Sequence, residues 1–224
     1  MTEAISNDTN NFVRSSVTLG LRQDGRQMLE MRQMRIVFNK DKDGVEVALG
    51  KTIVFAKISS KIIEPAKNKP SEGKMRFIVN LRVIQDTKQG FKSQKPATLA
   101  TEINKVLERS IKGSKALDCD SLCILTGKYA WDVQCELSLI NNDGNLLDAF
   151  NFAAIIALHR YRLPFVTVEG GKLKIWREDQ KRPQTLSIHH WPIMMSFGVL
   201  NEQESTADGD GISEYVVYDP TVIF

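Results

Sequence analysis

Cysteine is scarce in this chain and odd in number: Cys119, Cys123 and Cys135 among 224 residues. Their spacing pairs no metal ligands and an odd trio builds no disulfide framework, so they read as reduced core thiols. Histidine numbers only three. His189 and His190 are adjacent, and adjacent strand residues face opposite sides, which excludes a chelating pair and points to core or interface packing. Long apolar runs are also lacking. No stretch approaches the roughly 20 residues of a membrane span, and residues 1–11 are polar, without the apolar centre of a signal peptide. An intracellular chain with a disordered lead over residues 1–11 is expected. What is present is an ordinary folding composition, 42% hydrophobic and 25% charged, in a length that buries a sizeable core as one large domain or two small ones.

Charge is unevenly spread. The net charge is only +3, yet fifteen of the thirty Lys and Arg residues fall between residues 51 and 115, against five acids. A basic segment in an otherwise acidic chain points to a polyanion-facing surface. Within it, Ile103, Val106, Leu107 and Ile111 recur at helical spacing over 97–112, and Lys105, Arg109 and Lys112, four and three apart, fall on the opposite face. At 1.5 Å per residue they span roughly 10 Å, about two backbone phosphates of single-stranded RNA. Lys88, Lys92 and Lys95, with Phe91 between them, form a basic loop with one stacking candidate over 86–96.

Elsewhere strand signals dominate. Met34–Phe38 and 45–49 flank a turn at 41–44, and 53–59 and 75–84 are β-rich, with a proline-containing loop between them. Residues 131–139 alternate apolar and polar, the pattern of a half-buried strand, with Asp132 on the polar side. Residues 148–160 are apolar on nearly every side and predict a buried helix. Hairpins are expected at 165–168 with 172–176, across Glu169-Gly170-Gly171, and at 193–200 with 215–219, over a long polar turn. Asp208-Gly209-Asp210-Gly211 places Ile212 where a third calcium ligand would stand, so it reads as a mobile turn. Strands outnumber helices, which gives a mixed α+β class. No metal site and no cofactor is expected.

The most informative stretch is Leu139-Ile140-Asn141-Asn142-Asp143-Gly144-Asn145-Leu146-Leu147-Asp148-Ala149. It reads as a strand end, a tight polar turn and the start of a buried helix, a place where free N–H groups and the helix dipole favour an anion. Yet the turn carries Asn145, Leu146 and Leu147, with no hydroxyl and no cation. The local geometry suits a phosphate and the side chains do not.

Leu122-Cys123-Ile124-Leu125-Thr126-Gly127-Lys128, Trp131 and the Asp143-Gly144-Asn145-Leu146-Leu147-Asp148-Ala149 run resemble the ribonuclease PH family, and more narrowly its non-catalytic branch among RNA exosome ring subunits. Leu21-Arg22-Gln23-Asp24-Gly25-Arg26, Leu49-Gly50-Lys51-Thr52 and Ser187-Ile188-His189-His190-Trp191-Pro192-Ile193 agree, so the resemblance covers about residues 12–219. It implies a ribonuclease PH-like fold of mixed sheets with packed helices over 12–224. That domain is C-terminally shortened, since the family continues past Asp219-Pro220. Active members hold phosphate with a Gly-Thr-Arg or Gly-Ser-Arg sequence after Asp-Gly. With Asn145, Leu146 and Leu147 there instead, a bidentate guanidinium ligand is lost and no enzyme is implied. Of the acids that active members use, only Asp219 approaches the right region. The resemblance further implies other ribonuclease PH-like ring subunits and single-stranded RNA as partners. It places Lys105, Arg109 and Lys112 on a central pore, gives Arg22, Asp24 and Arg26 a structural ion-pairing role, and suggests a location in nucleus, nucleolus and cytoplasm. Two readings compete with it. A phosphate-dependent 3′ exoribonuclease is opposed by the missing cation, and a free-standing RNA-binding protein would be opposed by an unmatched apolar surface.

Overall fold

The computed structural model describes residues 7–39, 44–81, 96–206 and 209–221. Its main sheet is built around β6 (Tyr129–Asn141), where Val133, Cys135, Leu137 and Leu139 are buried and the residues between them are half-buried. β6 runs antiparallel to β3 (Thr52–Ile63) and parallel to β4 (Lys74–Asn80). β2 (Gly44–Leu49) and β1 (Met34–Phe38) extend the sheet beyond β3, and β5 (Cys123–Leu125) adds to β6. The strands expected over 34–38, 45–49, 53–59 and 131–139 are therefore present, and the one expected over 75–84 ends at Asn80, residues 82–84 lying outside the described residues. Asp132 breaks the expected alternation, because it is buried. Arg76 from β4 neutralises it through a bidentate fork of 3.0 Å and 2.5 Å.

Among the described residues, two helices cover this sheet. α1 (Asn7–Thr18) belongs elsewhere, as described below; α2 (Pro96–Leu107) continues into a π-helical turn, Glu108–Gly113, and forms the crossover between the parallel β4 and β6. Ile103, Leu107 and Ile111 are buried, whereas Val106 is only half-buried. α3 (Leu146–Arg160) lies against β2, β3 and β6 and buries Phe150, Ala153, Ala154 and Leu158. Cys135 sits in this core, where burial pushes its thiol up to about 12. Cys119 and Cys123 are half-buried, and all three are free.

Shorter pairs follow. β7 (Arg162–Leu163) pairs with β10 (Gln184–Thr185), and β8 (Val166–Glu169) with β9 (Lys172–Ile175), the expected hairpin. β11 (Phe197–Thr206) pairs with β12 (Gly209–Tyr218) along their whole lengths. The long polar turn expected between residues 200 and 215 is thus strand, and Gly209, Asp210 and Gly211 are paired rather than a mobile turn. Cross-strand pairing satisfies backbone groups whatever the side chains, so a polar sequence does not prevent it. Residues 193–196 lie outside β11. The helix α1 starts inside the segment expected to be a disordered lead. Val13 and Val17 give the reason: they are buried with Val217 of β12 in a second small core.

The start of β4 depends on a missing side chain. A Cβ on Gly73 would stand 2.7 Å from the Trp131 carbonyl oxygen and collide with Leu122 Cβ. Gly73→Ala is expected to cost about 1–3 kcal/mol, as other overpacked positions do. A thermal melt measures this directly, and an unchanged midpoint would contradict the packing.

Candidate functional site

One buried carboxylate organises the region where α3 begins. Asp219, at the end of β12, has no exposed surface. Arg32 grips both its oxygens, Nη2 to Oδ1 at 2.8 Å and Nε to Oδ2 at 2.9 Å, and the Arg32 backbone N–H adds a third bond at 2.9 Å. Arg26 Nη1 donates to Oδ2 at 3.0 Å, and Asn145 Nδ2 donates to Oδ1 at 2.7 Å. Arg22 donates to the carbonyls of Tyr218 and Asp219 and is forked onto Asp24. The Arg22-Asp24-Arg26 motif therefore makes the ion pairs expected of it, but Arg22 is buried rather than displayed on an exposed turn.

Arg32 also reaches the Asp143-Gly144 turn. Its Nη1 donates to the Asp143 carbonyl at 2.7 Å and its Nη2 to that of Gly144 at 3.2 Å. Thr52, buried at the start of β3, donates its hydroxyl to Gly144 O at 2.8 Å and accepts the Asp143 N–H at 3.0 Å. Gly50 makes room. It has a φ of 59°, and a Cβ there would lie 2.6 Å from Arg32 Cδ. The Leu49-Gly50-Lys51-Thr52 motif is thus the support of the turn ahead of α3.

Asn145 occupies the N-cap position in a left-handed conformation, φ 49° and ψ 56°, and does not cap its own helix. Its amide nitrogen bridges Asp219 and Asp148, the latter at 2.8 Å. Asp148 in turn accepts both the N–H and the hydroxyl of Ser196, at 3.0 Å and 2.7 Å, and Asn151 accepts the Met194 N–H at 3.2 Å. Leu146 is buried in the core, while Leu147 is partly exposed. The charges here are balanced internally: burial pushes the Asp219 carboxyl up, but hydrogen bonds from Arg32 and Asn145 outweigh it and hold it at about 2. An ionised, enclosed carboxylate committed to Arg32 has no proton to donate.

The basic residues lie apart from this network. Lys105, Arg109 and Lys112 are all exposed. The α-helical spacing that would align them does not run through the π-helical turn, which closes i→i+5 hydrogen bonds. Lys105 and Arg109 keep the four-residue interval of the buried Ile103, Leu107 and Ile111 row. Lys112 instead lines a polar cleft with Lys69, Lys115, Asp118, Cys119 and His189. Lys88, Lys92, Lys95 and Phe91 lie outside the described residues. His189 and His190 are exposed, not packed in the core. The segment that carries them is anchored by its backbone, His189 N–H to Ala116 O at 2.8 Å, which leaves both rings outward. Sequence reasoning missed Arg32, which stands alone before β1 with no motif around it, and it gave Thr52 and Asn145 no partners.

Removing the central charge tests the clamp. Asp219→Asn leaves Arg32 buried beside a neutral group, and breaking such a pair costs about 3–5 kcal/mol at neutral pH. The carboxyl titrates near 3.9 when unfolded and at about 2 when folded. Its contribution is therefore complete above about pH 4 and is lost as pH falls toward 2, an acid-side loss on the order of 2 kcal/mol. Denaturant unfolding between pH 2 and 4 should show this slope in the parent chain and a flatter one in the variant. Equal slopes would refute the assignment.

Residues 30–164 match the 3′ exoribonuclease family, domain 1 (RNase PH). Exosome complex component RRP45 of Homo sapiens is 35% identical over 198 residues, which are 88% of this chain and 45% of that protein. RRP45A of Arabidopsis thaliana is 34% identical over 215 residues, covering 95% of this chain and 66% of its own length. The chain spans less than half the length of the mammalian relatives it matches. In fold it is similar to the Archaeoglobus fulgidus exosome with RNA bound to the active site, at a TM-score of 0.69 and 23% identity over 97% of this chain and 77% of that one. With this match and these relatives, the chain belongs to the 3′ exoribonuclease, or RNase PH, family.

Proposed function

We propose that this chain is a non-catalytic ring subunit of an RNA exosome, of the RRP45 or polymyositis–scleroderma autoantigen type (component nine). It pairs with other RNase PH-like subunits and helps guide single-stranded RNA to a separate nuclease, in nucleus, nucleolus and cytoplasm. The observation that carries the reading is the closed charge balance at the start of α3. Arg32 is committed to Asp219 and to the turn carbonyls, and Asn145, Leu146 and Leu147 bring no second cation. Phosphorolysis needs an electrostatic clamp on its attacking phosphate, usually the largest single catalytic contribution. The names of the RRP45 relatives support the same reading.

An apolar comb supports it from another side. Trp191, Ile193, Met195, Phe197 and Val199, every second residue along the lead into β11 and its start, are all exposed. Val216 on β12 and Ile36, Val37 and Phe38 on β1 are exposed as well. This many exposed apolar side chains is usual at interfaces and unusual on free monomers, which disfavours a free-standing RNA-binding protein. In the assembled ring, Lys105, Arg109 and Lys112 contact the RNA backbone, with Lys88, Lys92 and Lys95 as a further contact.

The purified chain, given RNA, phosphate and magnesium, should release no nucleoside diphosphates. Robust phosphorolysis that follows the protein through purification would sink the non-catalytic reading. Replacing Lys105, Arg109 and Lys112 together with Ala should weaken RNA protection by the assembled ring about tenfold at low salt, whatever the RNA sequence, with a smaller effect as salt rises. Unchanged protection by a correctly assembled variant ring would remove the channel role.

A further inference from the structure

A second basic surface lies far along the chain from the segment between residues 51 and 115, within the part whose total charge is acidic. Between residues 172 and 182 stand Lys172, Lys174, Arg177, Lys181 and Arg182 against Glu178 and Asp179, and all seven are exposed. At its centre is a half-buried aromatic, Trp176, just after β9. Its position is fixed twice. The indole Nε1 donates to Thr167 Oγ1 at 2.9 Å, and its backbone N–H donates to the Phe165 carbonyl at 2.9 Å.

Two ammonium groups are held against this one ring. Lys174 Nζ lies 4.0 Å from the Trp176 ring centre, and Lys181 Nζ lies 4.5 Å from it and 4.6 Å from the ring of Phe165. Each such contact is worth about 0.5–1 kcal/mol at an exposed site, enough to bias a flexible lysine toward one position. Whichever faces they occupy, the two charges lie within roughly 9 Å of one another, close to the Debye length at physiological salt, so their repulsion is only partly screened. An anion placed between them relieves that repulsion. A phosphate that draws one ammonium group off the Trp176 ring also uncovers a face for a base, and base–aromatic stacking is worth about 1–3 kcal/mol per base. Fixed cations beside fixed aromatic rings match a ligand that presents a phosphate and a π-face together. An acidic peptide supplies only the charge.

We infer that the β8–β9 hairpin and the turn after it form a second binding surface for single-stranded nucleic acid. Lys174 and Lys181 engage the backbone phosphates, and a base stacks on Trp176. This surface acts separately from Lys105, Arg109 and Lys112 and does not require the ring reading to be correct.

The test is fluorescence anisotropy of the full chain with a labelled oligouridylate across a salt series. Lys174→Gln with Lys181→Gln should weaken binding about tenfold at low salt and reduce the log–log salt slope by about 1.4, the value for two phosphate contacts on a single strand. Trp176→Leu should weaken binding with little change in slope. The two lysines are exposed, so the lysine variant decides the matter even if Trp176→Leu fails to fold. The Ala variant of Lys105, Arg109 and Lys112 is measured alongside, and losses that add support two separate surfaces. Loss confined to that variant overturns this inference and leaves the channel reading intact. Unchanged affinity and slope in the lysine variant overturn it as well, and so does a variant that loses binding to polyglutamate but not to RNA.

Discussion

The contact between Arg32 and Asp219 is the constraint on which the rest of this fold depends. A buried guanidinium and a buried carboxylate are each costly alone, and their attraction offsets the desolvation only when the remaining donors and acceptors are satisfied. Here they are. Arg32 also donates to the Asp143 and Gly144 carbonyls, and Asp219 also receives Arg26 and Asn145. Because both ionised groups are fully partnered, four segments distant in sequence become fixed to one another: the 22–32 stretch, the start of β3, the turn before α3 and the end of β12.

Charge balance of this kind also decides what the start of α3 offers an anion. A helix start after a glycine turn is a common way to hold phosphate, and this chain keeps the turn, the glycine and the helix. What differs is where the local cation points. Arg32 faces inward to a carboxylate of the same chain, and the residues after Gly144 are an amide and two aliphatics. The backbone here suits an anion, and Arg32 is already committed to Asp219.

Much of the architecture was legible in the sequence because burial imposes periods. The alternation in β6 and the apolar α3 were readable from residue type alone, and so was the Gly170-Gly171 hairpin. What was not legible came from partners remote in sequence. Asp132 looked like a surface residue until Arg76 of β4 stood beside it. The polar stretch after residue 200 looked like a turn because backbone pairing leaves no mark on side-chain polarity. α1 depended on Val217, about two hundred residues away. The π-helical turn at Glu108–Gly113 left no mark in the residue pattern, and it alters the spacing on which the basic row of Lys105, Arg109 and Lys112 was read. At the candidate site, the motifs were visible as separate fragments, but Arg32, the residue that joins them, carried no signal.

Asp148 and Asn151 stand one helical turn apart on α3, and their side chains take the backbone N–H groups of Ser196 and Met194. A strand held only by another strand can slide by two residues and recover the same ladder. One held by two side chains at fixed heights cannot, because the pegs do not repeat. The lead into β11 is therefore set in height against α3, and the Asp219 N–H, which donates to the Ser196 carbonyl at 3.1 Å, ties the end of β12 to the same place. The apolar comb from Trp191 to Val199 thereby stays fixed in phase with the helix behind it.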